Sequence, residues 1–143
     1  MSRVYLDTCV LMIAATGRDQ SLVEQAVKEL DRAGATYLFS SMIEMELLPQ
    51  PTHNKRADEL EFYKEFFASA ERVQCDSSAQ QVALELMLSK QGLQPMDAMH
   101  VATAQAGGAS EFVTAEKSTK PMLNLGDAAT PLVLRTIWPS DDD

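Results

Sequence analysis

The sequence predicts an α/β protein: a three-layer α/β/α sandwich around a mostly parallel central sheet. Short runs of strand character (RVYL at 3–6, ATYLF at 35–39, EFVT at 111–114, LVLRTI at 132–137) alternate with longer stretches of helical periodicity. Such alternation implies parallel strands joined by crossover helices on both faces of one sheet. A chain of 143 residues is long enough to bury a single core. Acidic residues also recur where a strand or loop hands over to a helix: Asp7 in VYLDT, Glu46 in SSMIEMELL, Asp97 in PMDAMHVATA and Glu116 in FVTAEK.

The first strand, 3–6, ends at Asp7, which would cap a following turn. Over 21–33, Leu22, Val23, Ala26, Val27 and Leu30 form one apolar stripe, Ser21 and Glu24 match a capping box, and Gly34 is a stop. After the strand at 35–39, Ser41 and Glu44 match a second capping box, opening a helix that Pro49 and Pro51 close. Residues 54–71 form a longer helix with Ala57, Leu60, Tyr63, Phe67 and Ala70 at helical spacing. A short strand near 72–75 precedes a helix over 77–91 that Gly92 ends. Pro95 precedes a helix of small residues, 97–106, which stops at Gly107 and Gly108. The strands at 111–114 and 132–137 complete one domain, 1–138, and 139–143 reads as an acidic disordered tail.

In an open parallel sheet, the carboxyl ends of the strands and the helix starts that follow them open into one crevice. Asp7, Glu46, Asp97 and Glu116 can therefore meet although they are distant in sequence. Like charges about 4 Å apart repel by roughly 4 kcal/mol at an effective dielectric near 20, so such a cluster needs a cation or a proton. Oxygen ligands favour Mg²⁺ or Mn²⁺.

Each acid also has an ordinary reading when taken alone. Asp7 and Asp97 would each cap a helix start, Glu46 would be a solvated helix glutamate and Glu116 a loop residue. Glu44 and Glu46 lie about 200° apart around a helix, so only one can face a given site. Glu44 is taken by its capping box, which leaves Glu46 as the ligand candidate. Thr8 and Thr114 could orient the carboxylates beside them. His100, three residues beyond Asp97 and near the same face, reads as a polar packing residue. Lys117 and Lys120 read as solvated, at a place where a phosphate backbone would pass.

Composition removes several classes. The net charge is −9, of which three charges are Asp141, Asp142 and Asp143 and four are the acids above, so the remaining body is mildly acidic. That weighs against a generic duplex-binding module with a basic face, but not against a metal-dependent nuclease. No Gly-rich phosphate loop, Cys-x-x-Cys or G-x-S-x-G elbow is present. Neither a membrane span nor a signal-peptide pattern is found, and Cys9 and Cys75 read as small buried thiols in a reducing cytoplasm.

Taken in order, VYLDTCVL, FSSMIEMELL, MDAMHVATA and FVTAEK resemble the PIN-domain family of metal-dependent ribonucleases, especially VapC-like toxins, over residues 2–138. The resemblance implies that Asp7, Glu46, Asp97 and, as a fourth acid, Glu116 hold Mg²⁺ (or Mn²⁺). The implied activity is endonucleolytic hydrolysis of RNA phosphodiester bonds by the toxin of a toxin–antitoxin module. The sequence departs from the family at Cys9, where Asn is common, and at Glu116, where Asp is usual. The resemblance also implies a homodimer and an antitoxin partner. A helix at 54–71 on which Phe62 and Phe66 widen the apolar arc is in keeping with a second buried side. A non-catalytic interaction protein of the same fold and a metal-dependent phosphatase remain as alternatives.

Overall fold

The computed structural model describes residues 2–139, so the tail expected at 139–143 lies, from Ser140 onward, outside the described residues. Five strands, β1 (Arg3–Leu6), β2 (Thr36–Phe39), β3 (Glu71–Arg72), β4 (Glu111–Thr114) and β5 (Val133–Thr136), form one sheet in the order β3-β2-β1-β4-β5. Every pairing is parallel, with Tyr5 opposite Leu38 on one side and Phe112 on the other. Helices α1 (Thr8–Thr16), α2 (Gln20–Leu30), α3 (Ser41–Leu47), α4 (Pro49–His53) and α5 (Ala57–Ser69) carry the chain from β1 through β2 to β3. Helices α6 (Ser77–Ser89) and α7 (Pro95–Ala106) carry it back to β4. Right-handed crossovers put these two groups on opposite faces. In agreement, α1 packs against α2, α3 and α5, while α6 packs against α7.

Side-chain alternation along the strands fills the two layers. Tyr5 stacks on Phe112 with ring centroids 5.4 Å apart and meets His100 of α7. One residue out of phase, Tyr37 and Phe39 turn to the other face, where their rings lie 6.1 and 6.5 Å from that of Phe66 in α5. The small residues Ala98, Ala102 and Ala104 of α7 are buried, as the sequence predicts for a helix lying close to the sheet. Its end is equally tight: a Cβ on Gly107 would come within 2.6 Å of Val73 Cγ1.

Several local expectations are corrected. The residues after Asp7 are not a turn but the full helix α1; its segment TCVLMIAAT is apolar almost throughout and so lacks a polar face to mark a period. Neither capping box forms. Asp19 caps α2 by accepting from the Leu22 amide, which places Ser21 inside the helix. Ser40, not Ser41, is the N-cap of α3, and its hydroxyl bonds the Tyr5 hydroxyl instead of the helix end. Glu44 pairs with Arg72 at 2.5 Å. Helix α3 ends at Leu47, just before Pro49 as expected, but Pro49 also opens α4, the first-turn role that a missing N–H suits, and Pro51 lies inside that helix. Val27, expected on the buried stripe, is 47% exposed. Cys9 and Cys75 are half-buried, not buried. The wide aromatic arc of α5 is largely absorbed by this chain: Phe66 is buried, and half-buried Phe62 and Phe67 pack against the same core.

Candidate functional site

Strand β1 sits where the connectivity reverses, stepping to β2 on one side and receiving β4 on the other. The carboxyl ends of β1 and β4 thus border a topological switch point, the usual ligand crevice of a parallel sheet. A cleft of about 220 Å³ opens there, lined by Asp7, Thr8, Cys9, Met12, Glu46, Met96, Asp97, His100 and Glu116. All four acids singled out from the sequence line it.

Asp7 leaves β1 and is the N-cap of α1. Its Oδ1 accepts from the Thr8 amide at 2.8 Å and its Oδ2 from the Thr114 hydroxyl at 2.8 Å. The capping role and the site role, alternatives in the sequence, coincide here. Cys9 lies beneath, with its thiol 3.3 Å from the Thr114 hydroxyl and accepting from the Ala115 amide. Burial, reinforced by the Asp7 charge, pushes that thiol up to about 12, so it remains protonated and is no nucleophile at neutral pH.

Glu46 projects from the last turn of α3, while Glu44 turns away to Arg72. Its Oε1 accepts from the Thr8 hydroxyl at 2.9 Å and lies 2.6 Å from His100 Nε2. His100 Nδ1 is 2.8 Å from the Tyr5 hydroxyl, which lies 2.8 Å from Ser40 Oγ. An ionised carboxylate only accepts, so Nε2 carries a proton; a neutral ring then accepts the Tyr5 proton at Nδ1. Burial raises the Tyr5 phenol and keeps that donor protonated. Partial burial pushes the Glu46 carboxyl up, but the hydrogen bond from His100, the charge that ring carries when protonated and the Thr8 hydroxyl outweigh it and hold it below its ordinary value.

Asp97 is the third residue of α7. The N-cap there is Gln94, and the Asp97 carboxylate makes no hydrogen bond among the described residues. Burial, followed by the charges of Asp7 and Glu116, raises its carboxyl above the ordinary value. Glu116 follows β4, half-buried, with Lys120 Nζ 3.9 Å from its carboxylate. Sequence reasoning missed the chain Ser40–Tyr5–His100 behind Glu46. The one available signal was the three-residue spacing of Asp97 and His100, which places both on one face of α7.

Among the described residues, no three His, Cys, Asp or Glu side chains are already drawn together around one ion-sized point. The donor set nonetheless fits a hard divalent cation. It is all carboxylate oxygen, it leaves Asp97 unpaired under like-charge repulsion, and the bonded oxygens of Asp7 and Glu46 keep free lone pairs.

The fold is shared with several solved structures. A chain of VapBC2 from Rickettsia felis, bound to a DNA fragment from their promoter, matches with a TM-score of 0.65 at 20% identity, covering 94% of this chain and 98% of that one. DNA-bound VapBC from Salmonella typhimurium matches at 0.61 and 20% identity, covering 95% and 98%. FitAcB from Neisseria gonorrhoeae matches at 0.58 and 19% identity, covering 92% and 96%. No curated protein matches the chain by sequence. The family model of the PIN domain matches residues 4–120, which include all four acids of the cleft, and the chain belongs to the PIN-domain family.

Proposed function

We propose that this protein is a Mg²⁺- or Mn²⁺-dependent endoribonuclease and the toxin of a toxin–antitoxin module, with Asp7, Glu46, Asp97 and Glu116 as the acids that hold the metal. PIN domains are typically nucleases, and PIN nucleases generally use divalent metal ions. The observation that carries the reading is convergence: four carboxylates from four separate segments line one cleft at the switch point of the sheet.

The chain's own residues prepare the cleft. Thr8 and His100 direct Glu46, and Thr114 and the Thr8 amide direct Asp7. Bound there, a divalent ion would supply an activated water and offset charge on the phosphate. Asp97, without a hydrogen bond of its own, is the acid with most to gain from a cation. Among the described residues no triad or activated thiol competes for the role of nucleophile.

The structural relatives, which include a toxin–antitoxin complex from Klebsiella pneumoniae, support an antitoxin partner. Homodimerisation belongs to the same proposal. Its support is the exposed Leu84 and Leu88 of α6 rather than the α5 aromatics, since Leu88 is 79% exposed. Light scattering at micromolar concentration tests it, and a monomer throughout would reject it. For the activity, labelled RNA, DNA and a phosphomonoester are each incubated with Mg²⁺, Mn²⁺ or chelator. Metal-dependent internal cleavage of RNA is expected; chelator-resistant cleavage, or hydrolysis of the monoester alone, would overturn the reading.

A further inference from the structure

Beside the acidic cleft lies a second hollow of about 380 Å³, lined by Ala115, Glu116, Lys117, Thr119, Lys120, Pro121 and Trp138. Its volume is in the range of about 300–1,000 Å³ common for small-molecule sites. Glu116 lines both hollows, so the two are adjacent. Trp138, the single tryptophan of the sequence, follows β5 and is half-buried, with Lys117 Nζ 5.8 Å from its ring centroid. Lys120 Nζ reaches toward Glu116 at 3.9 Å, on the rim nearest the acids. Two cations and an aromatic ring thus share one hollow in a chain of net charge −9.

This combination is what unpaired nucleic acid requires. A base offers a π-face for an aromatic ring to stack on, and its flanking phosphate needs a cation; together they bind a single strand with little regard to sequence. A duplex, whose bases are already stacked, gains nothing from the ring. We propose that the Trp138 hollow binds one nucleotide of single-stranded RNA next to the bond to be cut, with its base stacked on Trp138 and its phosphate held by Lys117 and Lys120. The proposal rests on the ribonuclease reading above and adds to it the residues that position the strand.

The test exploits the single tryptophan and needs no cleavage. A short fluorescein-labelled single-stranded RNA of mixed sequence is titrated into the full protein in chelator. Anisotropy reports binding and the intrinsic emission of Trp138 reports stacking. Binding accompanied by quenching is expected. The observed affinity should fall with salt at a log–log slope of about −0.7, the value for one neutralised phosphate on a single strand. Trp138→Phe should retain most of the affinity and Trp138→Ala should lose about 5- to 100-fold. Lys117→Ala/Lys120→Ala should flatten the salt slope, with melting curves checked against wild type. Anisotropy-detected binding that leaves Trp138 emission unchanged, or no binding, would overturn the proposal. A cleavage assay with Mn²⁺ separates the two readings. Quenching without cleavage rejects the nuclease and keeps the nucleotide site; cleavage with Trp138→Ala at unchanged KM rejects the site and keeps the nuclease.

Discussion

His100 holds Glu46 from behind: Nε2 lies 2.6 Å from Glu46 Oε1, while Nδ1 lies 2.8 Å from the Tyr5 hydroxyl. His100 is 2% exposed and Tyr5 fully buried, so this ring links the core to the cleft. The link converts a helix glutamate that is itself partly exposed into a carboxylate with one orientation.

Replacing His100 by Leu should therefore have two effects. The Tyr5 hydroxyl is left with Ser40 alone and Glu46 loses a charge-assisted partner, costing about 1–3 kcal/mol by urea denaturation. Metal-dependent cleavage should fall even at temperatures where the variant remains folded. Tyr5→Phe, which leaves the His100–Glu46 contact, should lower stability more than activity. Equal activity loss in both variants would mean that the contact to Glu46 has no separate role.

Asp97→Asn should leave the metal-free protein as stable as wild type or slightly more so. Burial and the charges of Asp7 and Glu116 raise the Asp97 carboxyl, so its ionised form opposes folding at neutral pH. Mg²⁺ or Mn²⁺ should raise the wild-type Tm, and the variant should lose most of that gain. A variant with the full metal-dependent shift in a thermal scan would remove Asp97 from the ligand set.

Glu46→Gln and Glu44→Gln should separate sharply. Glu46→Gln is expected to abolish cleavage. Glu44→Gln breaks a pair with Arg72 in which both side chains are partly exposed, and should cost at most about 1 kcal/mol with activity retained. Inactivity of Glu44→Gln alone, in an RNA cleavage assay, would contradict the site geometry.

Away from the cleft, Glu111 accepts from Arg32 at 2.8 and 3.1 Å and from Arg135 at 2.8 Å. Arg32, aided by Arg135, lowers its carboxyl to about 2 from the ordinary 4.5. A depressed carboxyl stabilises fully above its unfolded value, so this contribution is present above about 4.5 and is lost as pH falls toward 2. Glu111→Gln should cost about 1–3 kcal/mol at neutral pH. Urea midpoints of variant and wild type should converge between pH 4.5 and 2, and a gap independent of pH would contradict this.

The alternation of strands and helices was legible because hydrophobic period is local: β1, β2, β4, α6 and α7 fall close to where their patterns place them. The four acids were legible because each stands at a strand or helix end, and parallel topology gathers such ends at one edge of the sheet. Helix α1 was not, since a helix packed on several sides carries no polar stripe. The capping boxes failed for a different reason. Asp19, two residues before Ser21, takes the N-cap of α2. The N-cap of α3 falls one residue before the expected box, at Ser40, and Glu44 pairs with Arg72, a residue distant along the chain that folding brings close.

The sequence by itself thus determined the layer architecture, the approximate elements and the identities of the acids, all properties of local pattern and residue type. Only the tertiary structure decided which way each carboxylate faces and what holds it. The Thr114–Asp7, Thr8–Glu46 and His100–Glu46 contacts join residues 107, 38 and 54 positions apart. Distance in sequence carries no information about such pairs; they exist because β1, α3, β4 and α7 converge on the switch point beside β1.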